Sequence, residues 1–378
     1  MGLAPYGDER YVERFRKILG LGTDRASRQH EDGPESGRPA FSLDLSYFEF
    51  HLEGPRRFSQ RFIEAFGEPL APGAEPTERH MAVARGAQVA LEEALLRLAE
   101  RAFSLSGESN LVLSGGVAMN SVANGRMERD GPFESVWIQS SAGDGGTAIG
   151  AALWVWHCIE GGVERHRWAN DRFGQSFSDE ACREALRKGG WSWTEPEDLA
   201  QDTAAALADG DLVGWFQGGA ELGARALGGR SILADPRRAE HKDVLNARVK
   251  FREPFRPFAP SVIEERADEF FDLPAGSTVP FMQKVHSVRP ERREDLAGVT
   301  HVDGTARLQT VSCESAPMYH KLISAFGEIT GVPVLINTSF NVKGEPIVLT
   351  PDDAIRCWAT TGLDRLVLGP CVLTKSGR

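Results

Sequence analysis

The chain is short of cysteine, has no basic excess and has no long apolar run, and each lack narrows what it can be. Its five cysteines (Cys158, Cys182, Cys313, Cys357 and Cys371) are widely spaced, odd in number and form no CxxC. That spacing argues against a disulfide framework and against a cysteine zinc site, and it fits a reducing cytoplasm. The net charge is −11 and the pI about 5.4. Nucleic acid is disfavoured as a partner on that balance, because such binding is dominated by phosphate electrostatics. No stretch is apolar for long enough to span a bilayer, and no charged-then-apolar signal stands at Met1. Neither a nucleic-acid nor a membrane partner is expected. Internal repeats are absent too. What is there is 378 residues, 41% hydrophobic and 26% charged, enough for two or three domains with their own cores.

The first segment, to about Thr77, reads as irregular, with a polar loop at 24–38, a short helix within 55–67 and a Pro/Gly turn cluster at 69–76. Helical spacing predicts a long helix over 78–103. An α/β alternation follows: strand 110–114, helix 117–126, strand 135–139, turn 141–146 and helix 147–159. Residues 161–176 read as a linker, which gives domains at 1–160 and 177–378. In the second domain the pattern predicts helices at 179–188, 198–207, 241–250, 263–271, 317–329 and 352–361. Strands are expected at 212–217, 282–288, 307–311, 332–336 and 365–373. The fold class is α/β.

Against the acidic background, Val213–Arg256 stands out. From Arg225 onward it holds nine basic residues (Arg225, Arg230, Arg237, Arg238, Lys242, Arg248, Lys250, Arg252 and Arg256) against four acids. Charge runs are commonly solvated faces. Here the intervening Trp215, Phe216, Leu227, Ile232, Leu233 and Phe251 argue instead for a pocket that takes a small anion, since guanidinium forks match phosphate and carboxylate oxygens. Two glycine turns add to this. Gly115-Gly116, with Asn120 beyond it, and Gly143-Asp144-Gly145 each sit between a strand and a helix. Such turns expose backbone N–H groups to a nucleotide. Asp144 reads either as a helix cap or as a metal ligand.

Seven motifs now carry a resemblance: MGLAPYG (1–7), LSGGVAMNSVANGRM (113–127), AGDGGTAIGAAL (142–153), GARALGGRSILADPR (223–237), KFREPFRPFAPS (250–261), THVDGTARLQTV (300–311) and NTSFNVKGEPIV (337–348). In that order the chain resembles O-carbamoyltransferases of the nodulation and antibiotic-tailoring class. The resemblance implies the second lobe of an actin-like (ASKHA, Kae1-like) domain followed by a YrdC-like α/β domain.

It further implies that carbamoyl phosphate and ATP, the co-substrate, give a carbamoyl-adenylate, whose carbamoyl group passes to a hydroxyl of a small-molecule acceptor beside an iron-type divalent metal. The family's anion-binding positions fall on Arg225, Lys250, Arg256, Arg307, Asn341 and Lys343. Asn341 would read the carbamoyl amide, with Lys343 or Arg307 on the phosphate. The plainer readings are surface pairing of Lys250 and Arg256 with Glu253 or Glu240, and a turn cap for Asn337. The nucleotide is expected at Gly115, Gly116, Asn120, Gly143 and Gly145, and the metal at Asp144. Three departures stand out. Ala224 replaces a usual proline, and Lys343 a usual arginine. No two of the nine histidines are four apart, so the family's HxxxH metal pair is absent. A partner chain or upstream segment is expected to supply that lobe; a remnant that binds without turnover, or one that docks on a full-length paralogue, are the alternatives.

Overall fold

The computed structural model describes residues 1–22, 40–52, 54, 56–165, 168–274 and 276–375; the 24–38 segment lies outside them. Contacts divide the chain into Met1–Leu113 with Val122–Trp137, and Ser114–Ser121 with Ile138–Arg378. Residues 114–121 and 138–160 thus group with the second unit, and the described part of 161–176 runs within it.

In the first unit an aromatic-rich start folds onto one long helix. Ala4–Tyr6 make a single 3-10 turn, α1 spans Val12–Ile18, α2 Gln60–Phe66 and α3 Glu78–Ser106. Thr77 and His80 close a capping box at the start of α3, and Gly107, at φ 67°, ends it. Phe15 stacks on Phe66 at 4.5 Å, above buried Ala90 and Ala94. The motif glycine Gly7 is there for close approach, since a Cβ on it would lie 2.1 Å from the Met81 carbonyl oxygen. Strand β1 (Asn110–Leu113), helix α4 (Ser121–Asp130) and strand β2 (Ser135–Ile138) follow, the strands pairing with each other.

The second unit continues with α5 (Thr147–Trp154), which runs on as a π-helical turn at Val155–Ile159. Next come α6 (Asp179–Lys188, capped by Ser178) and α7 (Leu199–Asp209, capped by Asp198). Beyond them lie β3 (Val213–Phe216), β4 (Arg230–Ala234), α8 (Glu240–Leu245), β5 (Ala259–Ile263), β6 (Val285–Ser287), β7 (Thr305–Arg307) and β8 (Gln309–Val311). The chain closes with α9 (Pro317–Thr330), β9 (Val334–Ser339), α10 (Pro351–Thr360), β10 (Arg365–Leu368) and β11 (Cys371–Thr374).

Seven of these strands form one mixed sheet in the order β11-β10-β3-β4-β9-β5-β8, while β6 and β7 pair separately. The two-residue alternation of strand side chains feeds two cores. Val213, Trp215, Leu233, Leu335 and Val367 pack with α7 and α9 on one face. Phe216, Ile232, Ala234, Ile336, Leu366 and Leu368 pack with Leu186, Ile355 and Trp358 on the other. Both faces are covered, which is why these strands read as continuous apolar runs. Among the described residues no helix is long and apolar enough to cross a membrane.

Several expectations shift. The predicted strand 307–311 is two strands, β7 and β8, and 365–373 is the β10–β11 hairpin. The helix expected over 241–250 is α8 plus a π-helical turn at Asn246–Lys250, and 263–271 holds a 3-10 helix at Glu264–Glu269. β4 and β5 went unread, β4 because Gly228-Gly229 before it and Arg230-Ser231 at its start look like a loop, β5 because Pro260 lacks the N–H a strand needs. Pro260 sits opposite Ile336 in the β9 ladder and one residue ahead of the β8 ladder, which begins at Ser261. Gly228, at φ 96°, lies so close to Tyr319 that a Cβ would meet the ring at 2.2 Å. Gly228→Ala is expected to destabilise the second unit by about 2 kcal/mol or more, read as a lower urea midpoint; an unchanged midpoint would mean the loop adapts freely.

Candidate anion-binding site

The site is built on the loop that leads into β4. Glu221 fixes it: its Oε1 accepts from the Leu227 and Gly229 N–H groups, both at 2.7 Å, and its Oε2 from the Arg230 N–H at 3.1 Å. Gly228 supplies a carbonyl to the Trp215 indole at 2.9 Å. Arg225 therefore projects from a backbone held at its far end by one carboxylate.

The nine basic residues do not form one pocket. Arg230 is fully buried, stacks over the Phe216 ring at 3.5 Å and donates to the carbonyls of Gly218 at 3.0 Å and Gln175 at 3.2 Å. Arg237 pairs with Asp235 at 2.7 Å, and Arg238 donates to Asp209 O at the end of α7, at 3.2 Å. These three belong to the scaffold. Arg256 and Lys343 are exposed and share Glu253, at 2.9 and 3.6 Å, so the surface pairing foreseen for Arg256 is what forms, and Lys343 joins it.

Lys250 is different, and the surface reading of it is corrected. It is 4% exposed and its Nζ donates to Asn341 Oδ1 at 2.8 Å, Asn341 O at 3.1 Å and Ser339 Oγ at 3.2 Å, and to the Ser339 carbonyl. Burial, helped by Arg252, pushes its ammonium down to about 7. Asn341 is committed too: Ser339 Oγ donates to its Oδ1, and its Nδ2 donates to Glu345 O at 2.8 Å. Its amide is thus occupied within the protein, where the sequence predicted a carbamoyl reader. Asn337 caps no turn; it lies in β9 and donates to Ser261 Oγ at 3.0 Å and Gln309 Oε1 at 2.9 Å. Gln309 in turn donates to Leu227 O at 3.1 Å, tying the sheet to the arginine loop.

Arg248 is exposed and Lys242 half-buried; Arg225 and Arg252 instead meet a third guanidinium, Arg307, from outside the run. Arg307, on β7, is pushed down to about 9 by burial and by neighbouring Arg225 and Arg252. Burial lowers Arg225 as well, and burial with Arg256 takes Arg252 down to about 10. Arg252 donates to Asn246 Oδ1 at 3.0 Å and lies over the Phe258 ring. Among the described residues the guanidiniums of Arg225 and Arg307 have no hydrogen-bond partner, and each buries an unsatisfied Nε. Crowded cations without a counter-charge are what an anion completes. Arg252 was missed as a site residue, although its place in KFREPF marked it. Phe251 before it sits at φ 47°, a strained conformation for a non-glycine residue. Beside the loop a cavity of about 430 Å³ is lined by Ala220, Gly223, Ala224, Ser339, Asn341 and Pro346–Leu349.

The two glycine turns come together. The Gly115 N–H donates to Ala142 O at 2.7 Å, and a Cβ on Gly143 would lie 2.9 Å from Met119 Sδ. Gly115 is at φ 97°, where a side chain is strained. Gly116 and Gly145 belong to the same pair of turns, and Asn120 closes the 3-10 turn at Gly116–Met119. Asp144 does not cap α5; its main-chain carbonyl accepts from Thr147 Oγ1 at 2.7 Å, and its exposed carboxylate makes no hydrogen bond. No group of three or more His, Cys, Asp or Glu among the described residues is placed to hold a metal. Asp144 alone does not fit a metal centre, and no step is derived through one.

Sequence comparison gives the class that this fold and site serve. The family described as Carbamoyltransferase N-terminus matches residues 2–153, and Carbamoyltransferase C-terminus matches 204–375. The chain belongs to the carbamoyltransferase family. It is 40% identical over 383 residues to nodulation protein NolO of Bradyrhizobium diazoefficiens, covering 99% of this chain and 65% of that one. Identity is also 40% over 407 residues to the uncharacterized protein sll1178 of Synechocystis, 100% of this chain and 64% of that one. Nodulation protein U of Rhizobium tropici is 38% identical over 262 residues, 69% of this chain and 43% of that one. The chain spans just under two thirds of the length of its two longest-matching relatives. A solved structure of full-length HypF in the phosphate- and nucleotide-bound form overlaps 48% of this chain and 22% of that one, at TM-score 0.33 and 16% identity, too low a score to carry a fold argument.

Two outcomes test the site. Arg307→Met removes one crowded cation, so without added anion the protein should gain about 1 kcal/mol or more, seen as a raised melting temperature; a fall would mean Arg307 is compensated. Lys250 keeps its proton to about 7 in the folded chain and to about 10.5 when unfolded. The unfolded state thus binds more protons between those values, and stability rises with pH across that window. Lys250→Met should flatten the rise in urea midpoint between about pH 7 and about pH 9.5.

Proposed function

We propose that this chain carries the carbamoyl-phosphate-activating site of an O-carbamoyltransferase. The observation that supports it most is the meeting of Arg225, Arg252 and Arg307 with no carboxylate acting on Arg307. Such a cluster suits the dianionic phosphate of carbamoyl phosphate and the charge that develops as its phosphate departs. The 430 Å³ cavity next to the loop has room for the nucleoside of ATP. In the reaction, water releases inorganic phosphate from carbamoyl phosphate. The resulting carbamate oxygen attacks the α-phosphorus of ATP, pyrophosphate leaves and carbamoyl-adenylate forms. A hydroxyl of a small-molecule acceptor, a sugar or an antibiotic-like compound, then takes the carbamoyl group and AMP leaves. Lys250 holds Asn341 and Ser339 in place on the wall of that cavity.

On this reading the two glycine turns face the nucleotide of the transfer half-reaction, in an actin-like lobe preceding a YrdC-like domain, in the cytoplasm. An iron-type divalent metal with Asp144 as one ligand requires further donors beyond the described residues. A second reading is binding without turnover, favoured by the commitment of Lys250 and Asn341 to partners within the protein. Carbamoyl-phosphate-dependent ATP–pyrophosphate exchange on this chain separates the two. Exchange that is lost in Arg225→Ala and Arg307→Ala supports activation. Carbamoyl phosphate binding without exchange supports the second reading. Calorimetric binding of carbamoyl phosphate should fall at least about 100-fold in either variant, as expected for a buried charge-assisted contact worth about 3 kcal/mol; unchanged binding in both would remove the site.

A further inference from the structure

The 170–175 segment lies outside both family matches, yet it grips the arginine loop along its length. Asp171 O accepts from the Leu222 N–H at 2.9 Å, and Gln175 O from the Ala220 N–H at 3.1 Å. Arg172 Nη2 donates to Leu227 O at 3.2 Å, and Arg230 Nη2 to Gln175 O at 3.2 Å. The fit is close, because a Cβ on Gly219 would lie 2.6 Å from Arg172 O. Both ends of the stretch that presents Arg225 are therefore tied to a segment that reads in the sequence as a linker.

One group in this strap is out of keeping with its surroundings. Asp171 is 1% exposed, and its carboxylate oxygens accept no hydrogen bond of normal geometry, although the Gly223 and Asp171 N–H groups act on them. It lines a cavity of about 20 Å³ with Leu227, Pro280, Phe281, Gln309 and Ala316, room for about one water. The charged groups acting on it are Glu221, from the loop, and Arg172, from its own segment; the lining from 280–281, 309–311 and 315–316 carries no charge. Burial, then Glu221, pushes its carboxyl up to about 7, while Arg172 and the Gly223 N–H pull the other way.

We propose that the strap sets the position of Arg225 and that Asp171 makes this setting depend on its charge, tight when neutral and loosened when ionised. The proposal rests on the anion site above. The physical reason is linkage: a carboxylate that binds its proton more strongly in the strapped arrangement than in water favours that arrangement at low pH and opposes it at high pH. Ionised Asp171 and Glu221 then stand as like charges at either end of one loop. Asp171 is a positioning residue, acting through Leu222, Gly223 and Leu227.

The test is calorimetric binding of sulfate, whose charge is constant over the range, to the full chain and to Asp171→Asn, Asp171→Ser and Arg225→Ala, at about pH 6 and about pH 8.5. Asp171→Asn should match the wild type within about twofold at the lower pH and bind at least about fivefold tighter at the higher one. The ratio of variant to wild type cancels the titration of Lys250 and Arg307, which is common to both. A ratio that is equal at the two pH values overturns the proposal, since a merely structural role has no reason to follow the proton. Asp171→Ser carries the same comparison if the amide variant does not fold. Sulfate binding that persists in Arg225→Ala overturns the anion site itself; binding lost in Arg225→Ala with a flat Asp171→Asn ratio overturns the strap alone.

Discussion

Like charges repel, and the second unit is arranged to hold three of them together. Arg307 is enclosed with Arg225 and Arg252 as its charged neighbours, and no carboxylate among the described residues acts on it. The cost has to be met elsewhere, by burial on both faces of a seven-stranded sheet. β7 brings Arg307, the loop before β4 brings Arg225, and the turn after the π-helical stretch brings Arg252. None of these segments is near another in sequence, and β7 pairs with β6 outside the seven-stranded sheet, so the cluster exists only while the second unit is folded.

The scaffold around it is polar but largely saturated. Glu221 satisfies three backbone N–H groups, Arg230 spends its donors on carbonyls, and Asn337, Ser261 and Gln309 close a small network between β9, β5 and β8. Buried polar groups that are hydrogen-bonded fix geometry, and this network reaches Leu227, although Arg230 Nε and Asn337 Oδ1 stay unpaired within it. The bare groups at the arginine loop include the guanidiniums of Arg225 and Arg307 and the carboxylate of Asp171. Of the two kinds, the first marks where a ligand belongs and the second where a proton does.

The sequence carried the family, the alternation of the first α/β stretch and most helices of the second unit, because those signals are local. Helix α6 falls on its expected bounds, and Ser178 explains its start. What escaped was decided at long range. β4 is buried by β3 and β9 although Gly228-Gly229 before it look like a turn, and β5 hosts a proline one residue ahead of its β8 ladder. Of the six predicted catalytic residues, Arg225 and Arg307 meet in space. Lys250 and Asn341 meet each other, and Arg256 and Lys343 lie at the surface on Glu253. A count of charges along the chain has no means of separating Arg230, which spends its charge on carbonyls, from Arg252, which keeps it for the cluster. Asp171 was hidden in a stretch whose composition reads as a connector.

Helix α5 and its π-helical continuation leave Leu153, Trp154, Val155, Trp156 and Ile159 substantially exposed. Apolar surface that is already hydrated in the folded state is not newly hydrated on unfolding, so it adds nothing to the heat-capacity increment. The calorimetric signature of this chain therefore understates its apolar content.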